Sequence, residues 1–212
     1  MRRIGIMGGT FNPIHTGHLA LAEWVREHQE LDEVWFVPTG SSYLKDPRQI
    51  LPGRERLYMT ALAIGDNPFF RCLDLEVLRG GKTYSYETLE QLKHCHPQDT
   101  FYFIVGADCL FTIEKWKHPE RIFQNCILAA AVRGDVSMGD MEAKKRELEQ
   151  KFSMTGLKIL LIPFLPFPVS STDIRCRIRQ GHSIRYLVPE RVITYIQEKG
   201  YYREENELFE KN

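Results

Sequence analysis

The sequence predicts an α/β fold in which a doubly wound parallel sheet carries helices on both faces. Two observations predict it. Short apolar runs alternate with stretches of helical periodicity along most of the 212 residues. Two of the runs, Phe101–Val105 and Cys126–Val132, are apolar throughout, which is typical of strands covered on both faces.

The predicted elements follow one another in β-α order from the start of the chain. The first strand candidate is Arg3–Met7, and the first helix candidate is Thr16–His28. The other strand candidates are Glu33–Pro38, Phe69–Leu75, Phe101–Val105, Cys126–Val132 and Lys158–Ile162. The other helix candidates are Arg54–Ile64, Ser85–His94, Met141–Phe152, Thr172–Arg179 and Glu190–Lys199. Pro189 and Gly200 mark the start and the end of the last helix.

The length fits one domain of generous size. We expect that domain over residues 1–203, with a small C-terminal helical part at about 170–203. Residues 204–212 are rich in charge, and we expect them to form a flexible tail.

Composition argues against several classes of partner. Lys plus Arg and Asp plus Glu both number 28, so the chain lacks the net positive field that gathers nucleic acid or an acidic membrane. The longest apolar stretch, Leu157–Val169, contains three prolines and is shorter than the roughly 20 residues that span a bilayer. The five cysteines include no CxxC pair, which argues against structural zinc and a disulfide framework. We therefore expect a cytoplasmic protein with no nucleic-acid and no membrane partner, and the sequence leaves open whether it forms a homo-oligomer.

The most informative segment, Gly8–Leu19, reads GGTFNPIHTGHL and lies between the first strand and the first helix. Ligands of open α/β sheets bind at the carboxyl ends of strands, and a helix N-terminus there offers amides and a positive dipole end to a phosphate. His15 and His18 are three residues apart and project from one side of the helix start, and Gly17 leaves room beside them. Two imidazoles can thus meet one phosphate.

Other interpretations of this segment are weaker. The glycines alone could make a tight turn, with the histidines as ordinary structural groups. An HxxH pair could also suggest zinc, but no third ligand is signalled nearby. The segment is neither a Walker lysine loop nor GxGxxG.

The segment closely resembles the HxGH signature of the nucleotidylyltransferase superfamily, in the form seen in nicotinate mononucleotide adenylyltransferases. A second segment, Val169–Arg175, reads VSSTDIR and resembles the C-terminal SSTxIR motif of that family. Further similarity covers Gly81–Tyr86, Gly106–Asp108 and the closing Leu187–Tyr201. The resemblance therefore extends over nearly the whole chain.

The resemblance implies a role for each candidate residue. The catalytic residues would be His18, the first choice as donor to the α-phosphate, and His15. The ATP-binding residues would be Gly8, Gly9, Thr10, Phe11, Lys45, Asp108, Ser170, Ser171, Thr172 and Arg175. The acceptor-binding residues would be Thr83, Tyr84, Trp116 and Arg133. No metal-ligating residue is implied, and Mg²⁺ would be held mainly through the phosphates of ATP.

Several of these residues also have a plain structural interpretation. SSTDIR has the composition of a helix N-cap, and Asp108 could cap the helix that follows it instead of binding a ribose diol. Trp116 could be ordinary core. The second loop, Gly40–Lys45, departs from the family pattern, because it carries Leu44 where the family usually has histidine before the lysine.

The implied activity is transfer of the adenylyl group of ATP to nicotinate mononucleotide. Within the same chemistry the acceptor could instead be nicotinamide mononucleotide, phosphopantetheine, or a phosphocholine-like compound with CTP as donor. A non-catalytic nucleotide sensor is the alternative from a different class, and the intact His15, His18 and Arg175 argue against it.

Overall fold

The computed structural model describes residues 1–40, 50–132, 136–164 and 168–203. Its strands are β1 (Arg3–Gly9), β2 (Glu33–Pro38), β3 (Phe70–Cys72), β4 (Thr100–Gly106), β5 (Ile127–Val132) and β6 (Ile159–Pro163). Its helices are α1 (Thr16–His28), α2 (Gly53–Ile64), α3 (Leu75–Arg79), α4 (Ser85–Cys95), α5 (Ala107–Thr112), α6 (Pro119–Asn125), α7 (Met138–Lys151), α8 (Ser171–Arg179) and α9 (Glu190–Lys199). Short 3₁₀ turns follow α5 and α7, at Ile113–Lys115 and Ser153–Thr155.

The strands form one sheet in the order β3-β2-β1-β4-β5-β6. β4 pairs in parallel with β1 and with β5, and β5 pairs in parallel with β6. This order reverses direction between β1 and β4, as in the Rossmann fold, and ligands of such sheets bind beyond the carboxyl ends of the strands at that point. The predicted Rossmann-like, doubly wound sheet is confirmed.

The central strands are buried along most of their length. Ile4, Ile6 and Phe101–Val105 are almost fully buried, and the alanines of β5, Ala129–Ala131, are completely inaccessible. Continuous burial explains why these segments carry apolar residues without alternation. The two apolar runs on which the fold prediction rested are therefore central strands.

The prediction was wrong around the third strand and missed three short helices. The predicted strand Phe69–Leu75 ends at Cys72, and Leu75 begins α3, which stops before Gly80 with its left-handed backbone at φ 67°. α3, α5 and α6 contain five to seven residues each. A helix this short completes too few turns for apolar periodicity to stand out.

The described residues form two compact units. The first unit comprises those within Met1–Gly8, Leu21–Phe36 and Tyr84–Pro166. The second unit comprises those within Gly9–Ala20, Val37–Thr83 and Phe167–Asn212. In the first unit α4 packs on α6 and α5 packs on α7, and in the second α2 packs on α3 and α9.

Within the described part of the chain, no helix combines the length and the apolar character that crossing a membrane requires. None of the five cysteines, all of which lie in the described ranges, forms a disulfide. The predicted tail, 204–212, lies outside the described residues.

Candidate active site

The two predicted catalytic histidines lie together at the start of α1, in the second unit. Their rings stack, with centroids 3.6 Å apart and planes 27° apart. His15 is buried and its carbonyl accepts from the His18 amide, so His15 occupies the N-cap position of the helix. The expectation that both imidazoles project from one side of the helix start agrees with this geometry.

The orientation of His18 is fixed by the backbone. The amide of His15 donates to Nδ1 of His18 over 3.2 Å. Because Nδ1 accepts this hydrogen bond, the neutral ring carries its proton on Nε2. His18 is thereby held as a hydrogen-bond donor at Nε2, and Phe11 meets the same ring edge-on with centroids 5.0 Å apart.

Gly9 and Gly17 have no space for a side chain. A Cβ on Gly17 would lie 2.9 Å from Cγ1 of Val169 and 3.1 Å from Nδ1 of His15. A Cβ on Gly9 would lie 2.8 Å from the ring of Phe11, which itself has a left-handed backbone at φ 47°. The glycines therefore permit the close packing of the two histidines and Phe11.

The second motif forms the N-terminus of α8, also in the second unit. Ser170 is the N-cap: its Oγ accepts from the amide of Asp173 and donates to the Asp173 carboxylate, over 3.1 and 2.6 Å. Ser170 therefore caps α8 through the Asp173 amide, as the composition of the motif predicts, and a bond between the two side chains accompanies the cap. Ser171 turns the other way, and its Oγ donates to the carbonyl of Pro13 over 2.8 Å.

Arg175 joins the two motifs. Its Nη1 donates to the carbonyl of Asn12 over 2.9 Å, and its Nη2 donates to Oγ1 of Thr172 over 3.3 Å. Burial lowers the pKa of the guanidinium, and the like charge of Arg179 lowers it further, while Tyr202 acts in the opposite direction. Arg175 therefore lies half-desolvated beside the loop that carries the histidines.

Asp108 and Gly8 belong to the first unit, at the ends of β4 and β1. Asp108 is exposed in the first turn of α5, whose N-cap is Gly106, so the alternative in which Asp108 caps this helix is wrong. At Gly8 a Cβ would make only ordinary contact with Phe103, at 3.7 Å. Both residues lie where strands of the first unit end.

Two predicted acceptor residues, Tyr84 and Trp116, also lie in the first unit. Trp116 follows the 3₁₀ turn after α5, is half-buried, and meets Phe103 edge-on with centroids 6.3 Å apart. Tyr84 precedes α4, and Nζ of Lys117 lies 4.3 Å from the centroid of its ring. The partial exposure of Trp116 differs from that of an ordinary core residue.

Thr83 is the predicted acceptor residue that lies in the second unit. It is buried, and its Oγ1 has no hydrogen-bond partner among the described residues. Its methyl group packs against Gly40, where a Cβ would lie 3.0 Å from Thr83 Cγ2 and 2.5 Å from the carbonyl oxygen of Glu76.

Lys45 and Arg133, and Leu44 with them, lie outside the described residues. Within the described ranges, no three side chains of the His, Cys, Asp and Glu types come together as a metal site.

Comparison with known proteins identifies the family. A model described as cytidylyltransferase-like matches residues 6–177. A protein of Lachnoclostridium phytofermentans named "Probable nicotinate-nucleotide adenylyltransferase" is 42% identical over 202 residues, which cover 95% of this chain and 100% of the relative. A protein of the same name from Dehalococcoides mccartyi is 40% identical, over 94% of this chain and 97% of the relative.

The chain belongs to the nicotinate-nucleotide adenylyltransferase family. The family and the enzyme class predicted from the two motifs, a nucleotidyltransferase, are confirmed.

Solved structures from the nicotinate-nucleotide adenylyltransferases share the fold. The Plasmodium falciparum nicotinic acid mononucleotide adenylyltransferase complexed with NaAD superposes with a TM-score of 0.75 at 21% identity, over 95% of this chain and 98% of that one. The same protein complexed with APC gives a TM-score of 0.74. At this identity the likeness shows the fold, and it agrees with the strand order.

Sequence reasoning missed three residues in or beside the loop between β1 and α1: Asn12, Arg56 and Tyr202. Oδ1 of Asn12 accepts from the Tyr202 hydroxyl at 2.8 Å and from the amide of Leu51 at 3.2 Å. Arg56 donates to the carbonyl of Thr10. Asn12 lies within Gly8–Leu19 and directly precedes a proline, which is a usable signal. Arg56 and Tyr202 gave none, because each looks like an ordinary residue of a helix or a chain end.

Proposed function

We propose that this protein transfers the adenylyl group of ATP to nicotinate mononucleotide, forming nicotinate adenine dinucleotide and pyrophosphate in NAD biosynthesis. The observation that carries the proposal is the cluster in the second unit. Two stacked histidines at the start of α1 are joined to the start of α8 through the Ser171–Pro13 and Arg175–Asn12 hydrogen bonds. Relatives 38–42% identical along nearly the whole chain bear the name of this activity.

The reaction is a direct in-line displacement. An oxygen of the acceptor's 5'-phosphate attacks the α-phosphorus of ATP, the new P–O bond forms, and the bond from the α-phosphorus to the bridging oxygen breaks. Pyrophosphate leaves with the electron pair of that bond. No protein nucleophile is needed, so catalysis comes from alignment of two anions and from neutralisation of charge.

His18 is the proposed donor to the α-phosphate. Its proton lies on Nε2 because the His15 amide donates to Nδ1, so the ring offers an N–H without any reorganisation. His15, buried and stacked on the ring, holds His18 in this orientation. Gly9, where a Cβ would lie 2.8 Å from the Phe11 ring, leaves room for that ring beside His18.

The β- and γ-phosphates are assigned to the start of α8. Helix amides at an N-terminus bind phosphate oxygens, and Arg175 adds a bidentate cation one turn further on. Ser170, Ser171, Thr172 and Lys45 complete the proposed set, with Gly8, Thr10 and Phe11 along the loop.

Apart from the Asp173 carboxylate, which already accepts from the Ser170 hydroxyl, the groups assigned to this site are N–H and O–H donors, which suit phosphate oxygens and not a hard cation. Mg²⁺ would accordingly be held through the phosphates, where it supplies further neutralisation of charge.

The acceptor is assigned to Thr83, Tyr84, Trp116 and Arg133, and the ribose of adenosine to Asp108. The buried hydroxyl of Thr83, which lacks a partner among the described residues, supports a polar ligand beside it, because unpaired buried hydroxyls are costly. The half-exposed ring of Trp116 is available for stacking on a pyridine ring. Because the chain has no net charge, we infer an enzyme without nucleic-acid or membrane partners. Its five cysteines form no disulfide, which supports our proposal that it acts in the cytoplasm.

A product assay tests the proposal. The protein is incubated with ATP and Mg²⁺ and with nicotinate mononucleotide, nicotinamide mononucleotide or phosphopantetheine, and separately with CTP and phosphocholine. We expect nicotinate adenine dinucleotide and an equal amount of pyrophosphate. A folded protein that binds ATP but forms no product with any acceptor would be a sensor, and the proposal would be wrong.

A further inference from the structure

An arginine is buried beside the loop between β1 and α1, which is the segment assigned to ATP. Arg56, in the first turn of α2, is 1% exposed and is among the largest fully buried side chains of the described residues. A buried guanidinium is costly unless its donors are satisfied. The groups that accept hydrogen bonds from Arg56 therefore indicate what this buried cation does.

Arg56 donates almost entirely to backbone carbonyls. Its Nε bonds to the carbonyl of Leu51 at 2.8 Å and its Nη1 to that of Thr10 at 2.7 Å. Its Nη2 bonds to the carbonyls of Thr39 and Gly40, both at 2.6 Å, and the Thr39 hydroxyl lies 3.5 Å from Nη1. Among the described residues none of its hydrogen bonds is to a carboxylate. Burial lowers the pKa of Arg56 to about 10, so the group stays charged at neutral pH.

These carbonyls belong to three separate segments. Thr10 lies in the loop between β1 and α1, Thr39 and Gly40 directly follow β2, and Leu51 precedes α2. The first two segments also meet directly, because the amide of Thr39 donates to the carbonyl of Gly9 over 2.9 Å. One side chain therefore fixes the loop assigned to ATP relative to the end of β2.

The end of β2 in turn touches the residue assigned to the acceptor. Gly40 packs so closely on Thr83 and on the Glu76 carbonyl that it has no room for a Cβ. Arg56, through its Nη2, holds Gly40 in that place. The guanidinium is thus joined on one side to the ATP loop and on the other to the segment against which Thr83 packs.

We propose that Arg56 is a positioning residue for adenylyl transfer, which keeps the ATP-binding loop and the Gly40–Thr83 contact in the arrangement that in-line attack requires. This inference rests on the proposed function. Alignment matters most in the transition state, and a misplacement of about 1 Å can cost about 100-fold in rate. Loss of Arg56 should therefore lower kcat far more than it weakens the binding of either substrate.

The test compares Arg56→Lys, Arg56→Ala and Arg191→Lys with the wild type. Lysine keeps the charge but cannot reproduce the planar array of donors that reaches four carbonyls. Arg191, on α9, has a side chain that is 61% exposed and pairs with Asp66. Its replacement by lysine therefore shows what an arginine-to-lysine change does at an exposed position. Each protein is assayed at the same interval below its own melting temperature, which separates positioning from loss of fold.

We expect Arg56→Lys to lower kcat by about 100-fold or more, with both KM values within about fivefold of the wild type. Methylguanidinium added to Arg56→Ala should raise the kcat of this variant by at least about tenfold, because it can occupy the vacated space and donate to the same carbonyls. It should not act on Arg56→Lys, and Arg191→Lys should match the wild type.

The inference is overturned if Arg56→Lys keeps kcat within about threefold of the wild type once temperature is matched, or if only its KM values change. If Arg56→Ala does not fold, Arg56→Lys alone decides. A wild-type protein that makes no dinucleotide refutes the proposed function itself, whereas an active wild type with an active Arg56→Lys refutes only the role of Arg56.

Discussion

Hydrogen bonds to the loop between β1 and α1 orient two side chains of the candidate site, His18 and Arg175. The His15 amide fixes the tautomer of His18, and the Asn12 carbonyl fixes the guanidinium of Arg175. Both anchors are backbone groups of the same short loop, so the fold itself holds the two side chains that we propose as phosphate donors. Preorganised donors of this kind contribute most to catalysis when they donate hydrogen bonds to atoms on which charge develops in the transition state.

Replacing His18 by alanine should therefore remove one such donor. We expect turnover with saturating substrates to fall by about 10²–10³, with little change in melting temperature because the side chain is only half-buried. His94→Ala, on the exposed side of α4, is the matched control and should behave as the wild type. Near-normal turnover in a folded His18→Ala protein, with chemistry rate-limiting, would remove His18 from the mechanism.

Arg175→Ala tests the assignment of the triphosphate. The half-desolvated guanidinium should contribute a charge-assisted hydrogen bond worth roughly 1.5–3 kcal/mol, so ATP affinity should fall at least about tenfold while acceptor affinity holds. Arg179→Ala removes the same charge one turn further along α8, at an exposed position, and should have little effect. Isothermal titration of both ligands measures this, and a selective loss of acceptor affinity would reverse the assignment.

How far the sequence predicts these residues depends on how local their partners are. The histidines and the SSTDIR segment are readable because each motif is contiguous and starts a helix. Asn12 is 190 positions from Tyr202, and Arg56 is 46 from Thr10. Contacts of such separation depend on the folded topology, so no spacing pattern could indicate them.

The packing between the start of α1 and the segment before α8 depends on one missing methyl group. Alanine at Gly17 would bring Cβ to 2.9 Å from Val169 and 3.1 Å from the His15 ring. We expect the displaced ring to lower kcat by about tenfold or more and the fold to lose roughly 1 kcal/mol or more. Gly139→Ala, in α7, is the control, since a Cβ there meets only Ser137 Oγ at 3.6 Å. A fully active Gly17→Ala protein would contradict the packing argument.

A charge cluster in the first unit links α7 to the 3₁₀ turn before Trp116. Nζ of Lys144 lies 2.8 Å and Nζ of Lys151 lies 2.6 Å from the two carboxylate oxygens of Glu114. Hydrogen bonds from Lys144, and then from Lys151, lower the pKa of Glu114 from 4.5 to about 2.

Because the folded pKa lies below the unfolded one, this carboxylate stabilises the fold above about pH 4.5 and the contribution is lost as pH falls towards 2. We expect the melting temperature of Glu114→Gln to fall less steeply over this range than that of the wild type. Glu149→Gln, also on α7, is the control and should follow the wild-type curve. Parallel curves for Glu114→Gln and the wild type would show that the cluster does not contribute.

At the level of elements, long segments were predictable and short ones were not. α1 and α9 have the predicted bounds, because ten or more residues with one apolar face leave a clear period. β3 contains three residues, and its predicted extension ran into α3, since a strand this short has no alternation to mark its end.

For the whole molecule, the apolar runs that form β4 and β5 predicted a parallel sheet, and the strand order confirms it. The order places the carboxyl ends of β1 and β4 side by side, at the point where ligands of such sheets bind. The division into two compact units could not be predicted, because each unit is assembled from three separate stretches of the chain.

The central claim is adenylyl transfer to a pyridine nucleotide that carries a carboxylate. The most direct test is the ratio of kcat/KM for nicotinate mononucleotide to kcat/KM for nicotinamide mononucleotide, with ATP saturating. One charge-assisted hydrogen bond to the carboxylate that the amide cannot match gives a ratio of about ten or more. Trp116→Ala should lower kcat/KM for both acceptors. A ratio of at least about ten is the predicted result. Equal efficiencies, or a preference for the amide, would show that the site recognises ring shape without charge and would contradict the proposed acceptor.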